Sequence, residues 1–176
     1  MAKNKEPSSN RNALLTMKGL NLSEAAIKQK RNPQLAAAFF FSAYIGCKPG
    51  EMKTVKEIEP YVFRIGDVNK LSPRYIRVTS KHIRNKLNLS IKALFDVKIR
   101  RVQDNFSTLM KASFGSCRAP TLSALRVLYI RRIQAKQIPP NQKALLTGLS
   151  EATLSKYQSI NEIDSEIMVS VGSQPN

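Results

Sequence analysis

The sequence has no tryptophan, one histidine and two cysteines in 176 residues. Cys47 and Cys117 do not form a CxxC pair, and His82 alone cannot complete a zinc site, so we expect no metal, no cofactor and no disulfide framework. The longest apolar run, Leu35–Phe41, is too short to cross a bilayer, and the first residues lack the apolar core of a signal peptide. These absences favour a cytoplasmic protein without membrane contact.

Acidic residues are also scarce, with 12 Asp and Glu against 29 Lys and Arg and a formal charge of +17. Solubility does not require so one-sided a surplus, whereas a polyanionic partner such as nucleic acid explains it. The charge is unevenly placed, because Glu162, Asp164 and Glu166 follow Tyr157 and no Lys or Arg does. The pattern therefore predicts a basic body followed by an acidic tail.

The length and a hydrophobic fraction of 42% fit one compact domain. We expect a mobile basic arm over residues 1–20, a folded domain over 21–160 and the acidic tail over 161–176. The arm either contacts phosphates or is a frayed terminus, and composition leaves both interpretations open.

Hydrophobic spacing predicts an α+β fold that is mainly helical, a helical bundle with a small three-stranded antiparallel sheet. The sheet is expected as a meander over residues 61–92, with turns at Gly66-Asp67 and Lys81–Lys86. Alternation places Tyr61, Phe63 and Ile65 on one face of the first strand, Ile76 and Val78 on one face of the second, and Leu87, Leu89 and Ile91 on one face of the third. A short strand is expected near the end of Ile163–Val171. The predicted helices span residues 24–31, 34–44, 94–113, 121–136, 140–147 and 151–160.

Short motifs stand in a fixed order along this domain. Gly46-Cys47-Lys48-Pro49-Gly50-Glu51 comes first, followed by Ser123-Ala124-Leu125-Arg126, then Gly148-Leu149 and Tyr157. Over residues 20–160 the order resembles the catalytic domain of the tyrosine recombinase (phage integrase) family, whose motifs are Gly-x-Arg-x-x-Glu and His-x-x-Arg before the tyrosine. The resemblance implies that Tyr157 stands at the position of the nucleophile that attacks a DNA phosphodiester.

The resemblance also shows which catalytic groups are changed. Lys48 stands where the family has its first arginine, Ser123 replaces a histidine and Leu149 replaces a histidine or tryptophan, while Arg126 and Tyr157 are kept and Lys81 is taken as the hairpin lysine. A lysine lacks the planar fork that grips two phosphate oxygens. Losing one charge-stabilising donor costs about a hundredfold in rate, and acid–base groups contribute similar factors. We therefore expect a protein that is not an active enzyme.

Each motif residue also has a plainer interpretation. Lys48 is then an exposed residue after a helix end, Arg126 an ion-pairing residue at the core edge, and Tyr157 a packing tyrosine. The motif order and the charge together favour a double-stranded DNA-binding protein on a degenerate tyrosine-recombinase fold. The candidate DNA-binding residues are Lys48, Arg64, Arg74, Arg77, Lys81, His82, Arg84, Lys86, Arg126, Arg131 and Arg132.

The expected setting is a plasmid, phage or integrative element, with an accessory, transfer, partition or regulatory role and a nucleoid- or plasmid-associated location. We expect either a homo-oligomer formed through the C-terminal tail or a partner protein. Two other functions stay open: an active recombinase that uses Tyr157, and a basic RNA-associated protein. Against the latter, no RNA-binding motif such as a GXXG loop is found.

Overall fold

The computed structural model of the chain describes residues 16–66, 73–116, 119–157 and 169–172. Within these ranges the protein is mainly helical and carries a four-stranded antiparallel sheet in the order β1-β2-β3-β4. The strands are β1 (Lys56–Glu59), β2 (Val62–Ile65), β3 (Arg74–Val78) and β4 (Val169–Val171). The helices are α1 (Met17–Lys30), α2 (Pro33–Ile45), a 3-10 helix (Pro49–Thr54), α3 (Lys81–Leu94), α4 (Ile99–Phe114), α5 (Leu122–Ala135), α6 (Pro140–Thr147) and α7 (Glu151–Leu154). The predicted fold class, mainly helical with a small antiparallel sheet, is confirmed.

Helix α2 is the central helix, and its limits follow from local sequence. The Asn32 side chain accepts hydrogen bonds from the backbone N–H groups of Gln34 and Leu35 (2.9 and 3.1 Å), and Pro33 occupies the first helical position. At the other end Gly46 takes the left-handed conformation, with φ of 64°. Nine of the 13 residues of α2 are buried.

Helix α1 begins earlier than predicted. Thr16 caps it by accepting a hydrogen bond from the Gly19 N–H (3.1 Å), and Leu20 is buried in the core. The expectation of an unstructured arm is therefore wrong for residues 16–20. Residues 1–15 lie outside the described ranges, and the arm remains a prediction there.

The meander exists, but it is shifted towards the N-terminus. The predicted strands at 61–65 and 76–78 correspond to β2 and β3, whereas β1 was not expected. The predicted third strand, Leu87–Ile91, is wrong because these residues belong to α3. Leu87 and Leu94, seven residues apart, are buried on one face of α3, while Leu89 is exposed. The apolar residues thus fit a helical face as well as a strand, and Ser80 supplies the helix N-cap.

The short C-terminal strand was expected, and the structure shows where it pairs. β4 extends the sheet beside β3, with Val169 opposite Val78 and Val171 opposite Ile76. The pairing is within the chain, and the tail residues 158–168 and 173–176 lie outside the described ranges. The remaining predicted helices are present as α4 to α7, with α4 starting five residues later than expected and α7 ending six residues earlier.

Sheet and helices share one core. Phe63, Ile65 and Ile76 on the inner face of the sheet pack in the same buried cluster as Phe41 and Ile45 of α2. None of the helices in the described ranges combines the length and apolar character needed to span a membrane. The sheet end, the α2 C-terminus and the α6 C-terminus come together beside this core, where Arg74 bonds both helix ends. Gly46 and Gly148-Leu149 of the sequence motifs lie there.

Candidate functional site

Motif segments that are far apart in sequence meet around Arg126. Its Nε donates a hydrogen bond to the carbonyl oxygen of Gly46 (3.0 Å), and its Nη2 donates to that of Thr147 (3.3 Å). The first motif and the residues just before Gly148-Leu149 are thereby both tied to α5. Tyr157 also lies close enough to act electrostatically on Arg126. The arrangement joins several of the segments that the sequence resemblance placed in one site, but neither Ser123 nor Lys81 is among them.

Arg126 is tied to the protein backbone rather than presented as an open fork. Burial and, second, the nearby guanidinium of Arg74 lower the pKa of Arg126, while Glu51 opposes that shift. Two of its donors already serve backbone carbonyls, so a phosphate would have to displace them to be held by both arms of the fork. In this conformation the Arg126 side chain stabilises the fold by binding backbone carbonyls.

Arg74, which we predicted to bind DNA, is buried on the inner face of β3 with 6% of its surface exposed. Its Nη1 donates to the carbonyl oxygens of Ile45 and Leu146, each at 2.9 Å. Its Nη2 donates to the Gly46 carbonyl (2.9 Å) and pairs with the Glu51 carboxylate (3.3 Å). Since it is enclosed and engaged in this way, Arg74 does not have the exposure that direct phosphate contact needs.

These bonds clamp the C-termini of two helices. The last carbonyls of a helix have no partner within the helix and carry its negative dipole end, so cations stabilise them. Arg74 and Arg126 bind the carbonyls of both α2 and α6, and the Tyr129 hydroxyl adds a hydrogen bond to Leu146 O (3.0 Å). We refer to Arg74, Arg126 and Tyr129 as the carbonyl clamp. Sequence reasoning did not anticipate it.

Two buried groups, Tyr129 of the clamp and the nearby Cys47, are held neutral. Burial raises the pKa of the Tyr129 hydroxyl and of the Cys47 thiol, each to about 12. The Tyr129 ring lies directly against Gly46, leaving no room for a side chain at that position. Neither group is suited to act as a nucleophile or base near neutral pH.

A cleft of about 830 Å³ opens beside the clamp, between the end of the sheet and α6. Lys48, an exposed residue, lies at its wall together with two carboxylates, Glu51 and Glu151. The Lys48 backbone N–H donates to Glu51 Oε2 (2.8 Å), which fixes the first motif at the start of the 3-10 helix. These two carboxylates balance the charges of Lys48 and Arg74, which also line the cleft, so its lining has no positive surplus to attract a phosphate group.

The substituted positions Leu149 and Ser123 and the retained Tyr157 differ in how far they are exposed to solvent. Leu149 is half-buried and lines the cleft, so the place of the family's proton-handling group is apolar. Ser123 is exposed on α5, and Tyr157 is half-buried just beyond α7. Lys48 and Leu149 thus line the cleft and Tyr157 lies near Arg126, whereas Ser123 is not among the residues that line the cleft.

Lys81 and His82 are not in a hairpin turn, which corrects our prediction. They are exposed in the first turn of α3, where the Ser80 hydroxyl accepts a hydrogen bond from the His82 N–H (3.2 Å). The error arose because the predicted third strand, Leu87–Ile91, belongs to α3, so residues 81–86 do not connect two strands. The connection between β2 and β3 contains one lysine, Lys70, which lies outside the described residues.

The other candidate DNA-binding residues differ in their solvent exposure. Arg132 is buried, with Nη1 donating to Ala43 O (3.4 Å), and it therefore resembles Arg74 in lacking access to solvent. Arg84 pairs with Glu57 (2.6 Å) and Lys86 lies over the Phe40 ring. The remaining three, half-buried or exposed, are Arg64, Arg77 and Arg131.

Comparisons with known proteins do not assign the site. No family model matches the chain, and neither the curated proteins nor the solved structures include a match. Among the described residues, no three His, Cys, Asp or Glu side chains come close enough to hold a metal ion.

Proposed function

We propose that this protein binds double-stranded DNA and does not cleave it. One observation carries the proposal, the charge imbalance of the exposed surface. In the described ranges 15 Lys and Arg residues are exposed, against four Asp and Glu. The other described carboxylates already take part in ion pairs within the chain, namely Glu24, Glu51 and Glu57. Such a surface attracts a polyanion through phosphate contacts and counterion release.

A degenerate tyrosine-recombinase fold is part of this proposal. It is supported by the motif order in the sequence and by the convergence of Gly46, Thr147 and Tyr157 around Arg126. The same neighbourhood argues against catalysis, because Leu149 can move no proton and two donors of Arg126 are engaged by carbonyls. A scaffold with this chemistry retains binding more readily than strand cleavage.

The biological setting that we propose follows from the resemblance. It is an accessory, transfer, partition or regulatory role on a plasmid, phage or integrative element, with the protein associated with that DNA. One small domain covers one side of a duplex, so we expect a second copy of the chain or a partner protein in the complex.

The proposal is tested by fluorescence anisotropy of a labelled DNA duplex over a range of salt concentrations. We expect the logarithm of the affinity to fall linearly with the logarithm of salt concentration, with a slope near −0.9 for each phosphate neutralised. Unlabelled duplex should compete more strongly than a structured RNA of equal length. Preferential displacement by RNA would favour the RNA-associated alternative, and absence of binding at low salt would refute both.

A further inference from the structure

The corner between α3 and α4 combines exposed cations with an exposed aromatic ring. Lys98, Arg100 and Arg101 are exposed at the start of α4. Phe95, the residue that ends α3, has 76% of its surface exposed, more than any other large apolar residue in the described ranges. Side chains of a helix lean towards its N-terminus, so both arginines lean towards the corner. We define the corner patch as Phe95, Lys98, Arg100 and Arg101.

The stability of the fold does not explain these three cations. The start of a helix is the positive end of its dipole, where acidic side chains are favourable and basic ones are not. The first turn of α4 nevertheless has no acidic residue, and no side chain caps it. None of the three cations forms an ion pair with another described residue, and this includes the exposed Asp104 further along α4. The cations therefore repel one another at an unfavourable position.

The end of α1 carries a comparable group of cations that the fold does explain. Lys28, Lys30 and Arg31 lie where the helix dipole is negative, so their charges stabilise the helix. Lys28 also forms an ion pair with Glu24 (3.2 Å). The cations of the corner patch have neither advantage, which indicates that they serve contact with another molecule.

Phe95 adds an independent observation. A single exposed apolar side chain needs no explanation by itself, but this ring stands beside three cations without ion-pair partners. Contact with a DNA groove uses both kinds of group, because cations hold phosphates on either side while an apolar side chain packs against the bases. The combination fits a duplex better than it fits a small anion.

From this placement we infer that the corner patch is the surface that binds duplex DNA, with Phe95 against the bases of a groove and the three cations on the flanking phosphates. The inference rests on the proposed function and assigns its interface. One acidic residue, Asp96, lies within the segment from Phe95 to Arg101, and it is exposed. Its charge weakens the attraction for phosphate without cancelling that of three cations.

The cleft beside the carbonyl clamp is the competing location, and its chemistry is less suitable. Two carboxylates, Glu51 and Glu151, balance the two cations of its lining. One of those cations, Arg74, is buried and already bound to carbonyls. The corner patch has a positive surplus, and all of its cations are exposed. Phosphate contact at the corner therefore gains more and displaces less.

The test compares two triple variants that remove the same charge from different surfaces. The corner variant replaces the three cations of the corner patch with Gln. The control variant replaces with Gln the three exposed cations at the end of α1, Lys28, Lys30 and Arg31. Both are measured by fluorescence anisotropy of a labelled mixed-sequence duplex across a salt range, with thermal unfolding followed by circular dichroism.

The corner variant should weaken duplex binding about tenfold or more and flatten the salt slope by about two to three units. The control variant should flatten the slope by less than about one unit. The melting temperature should be unchanged or higher for the corner variant and lower for the control variant, because the replaced cations oppose the dipole of α4 and complement that of α1. A purely structural role for the corner cations predicts a lower melting temperature.

Single substitutions test the other two side chains at the corner. Phe95→Ser should weaken binding about fivefold or more without changing the salt slope, because the contact it removes is apolar. Leu89→Ser is the matched control, since Leu89 is also exposed on α3 (66%) but lies outside the corner patch, and it should leave the affinity unchanged. Asp96→Asn should strengthen binding about twofold or more, because it removes a negative charge beside the phosphates.

The outcomes separate this inference from the proposed function. If the wild type binds duplex and the two triple variants lose the same affinity, the charge acts without a defined face and the inference is wrong while the function stands. Wild-type affinity in Phe95→Ser would also refute the inference. If the wild type binds no duplex at low salt, the proposed function itself fails. Should the corner variant unfold, Asp96→Asn must still strengthen binding for the assignment to hold.

Discussion

Replacing Arg74 with methionine should destabilise the protein by about 3 kcal/mol, within a range of about 2 to 5. Methionine fills much of the same volume but provides no donor, so the change isolates the hydrogen bonds. Leu146 O would still accept from Tyr129, and Gly46 O from Arg126, so each loses one of two partners.

The Ile45 carbonyl accounts for the largest part of the expected loss in the free energy of unfolding. It would lose the donor that Arg74 provides at the buried C-terminus of α2, at a cost of about 1 to 3 kcal/mol. Each of the two partly satisfied carbonyls adds about 0.5 to 1.5 kcal/mol, and losing the ion pair with Glu51 adds to this. Relief from burying a cation offsets part of the sum.

Urea unfolding followed by circular dichroism measures the loss directly, and a melting temperature lower by about 6 to 12 °C should accompany it. Arg100→Met is the control, because it makes the same substitution at an exposed arginine near the start of α4, and it should cost less than about 1 kcal/mol. A loss below about 1 kcal/mol for Arg74→Met would show that the carbonyl clamp does not hold the two helices together.

Other parts of the site give three further tests. Tyr129→Phe removes one hydrogen bond to a carbonyl that keeps another donor, so it should lower the free energy of unfolding by only about 0.5 to 1.5 kcal/mol in urea titrations. Gly46→Ala places a methyl group against the Tyr129 ring at a positive φ and should cost about 2 to 5 kcal/mol. Gly115→Ala lies in open space at φ 79° and ψ 155°, a conformation that favours glycine, and should lose only the conformational part of about 1 to 3 kcal/mol. Burial pushes the pKa of Glu57 up, but three hydrogen bonds outweigh it and hold that pKa below its usual value. The stabilising contribution of Glu57 is therefore fully present above about pH 4.5 and is lost as the pH falls through the lowered pKa that this carboxyl has in the folded protein. In urea titrations the free energy of unfolding of the wild type should exceed that of Glu57→Gln by more at pH 7 than at pH 3, and a difference that grows on acidification would contradict this prediction.

Features fixed by local chemistry could be predicted from the sequence. The Asn32-Pro33 start and Gly46 end of α2 are strong boundary signals, and both are found. Helix α3 was missed because Leu87, Leu89 and Ile91 alternate like a strand. The spacing of Leu87 and Leu94 is equally compatible with a helix, and Ser80 as an N-cap was the signal that could have decided it.

The roles of the arginines could be predicted only in part. Arg74 has the same alternation as Ile76 and Val78, which we placed on one face, so its burial was open to prediction from the strand pattern. The hydrogen-bond partners of Arg74 could not be predicted, because the carbonyls that it binds are 28 to 72 residues away in sequence.

The central claim is that this protein binds duplex DNA on a scaffold that no longer cleaves it. One reaction tests both halves: a nicked duplex substrate, designed to trap a covalent intermediate, is incubated with the protein and divided between a native gel and a denaturing gel. We predict a retarded complex on the native gel and no protein–DNA adduct on the denaturing gel. An adduct that survives denaturation and disappears in Tyr157→Phe would contradict the account, as would the absence of any complex on the native gel.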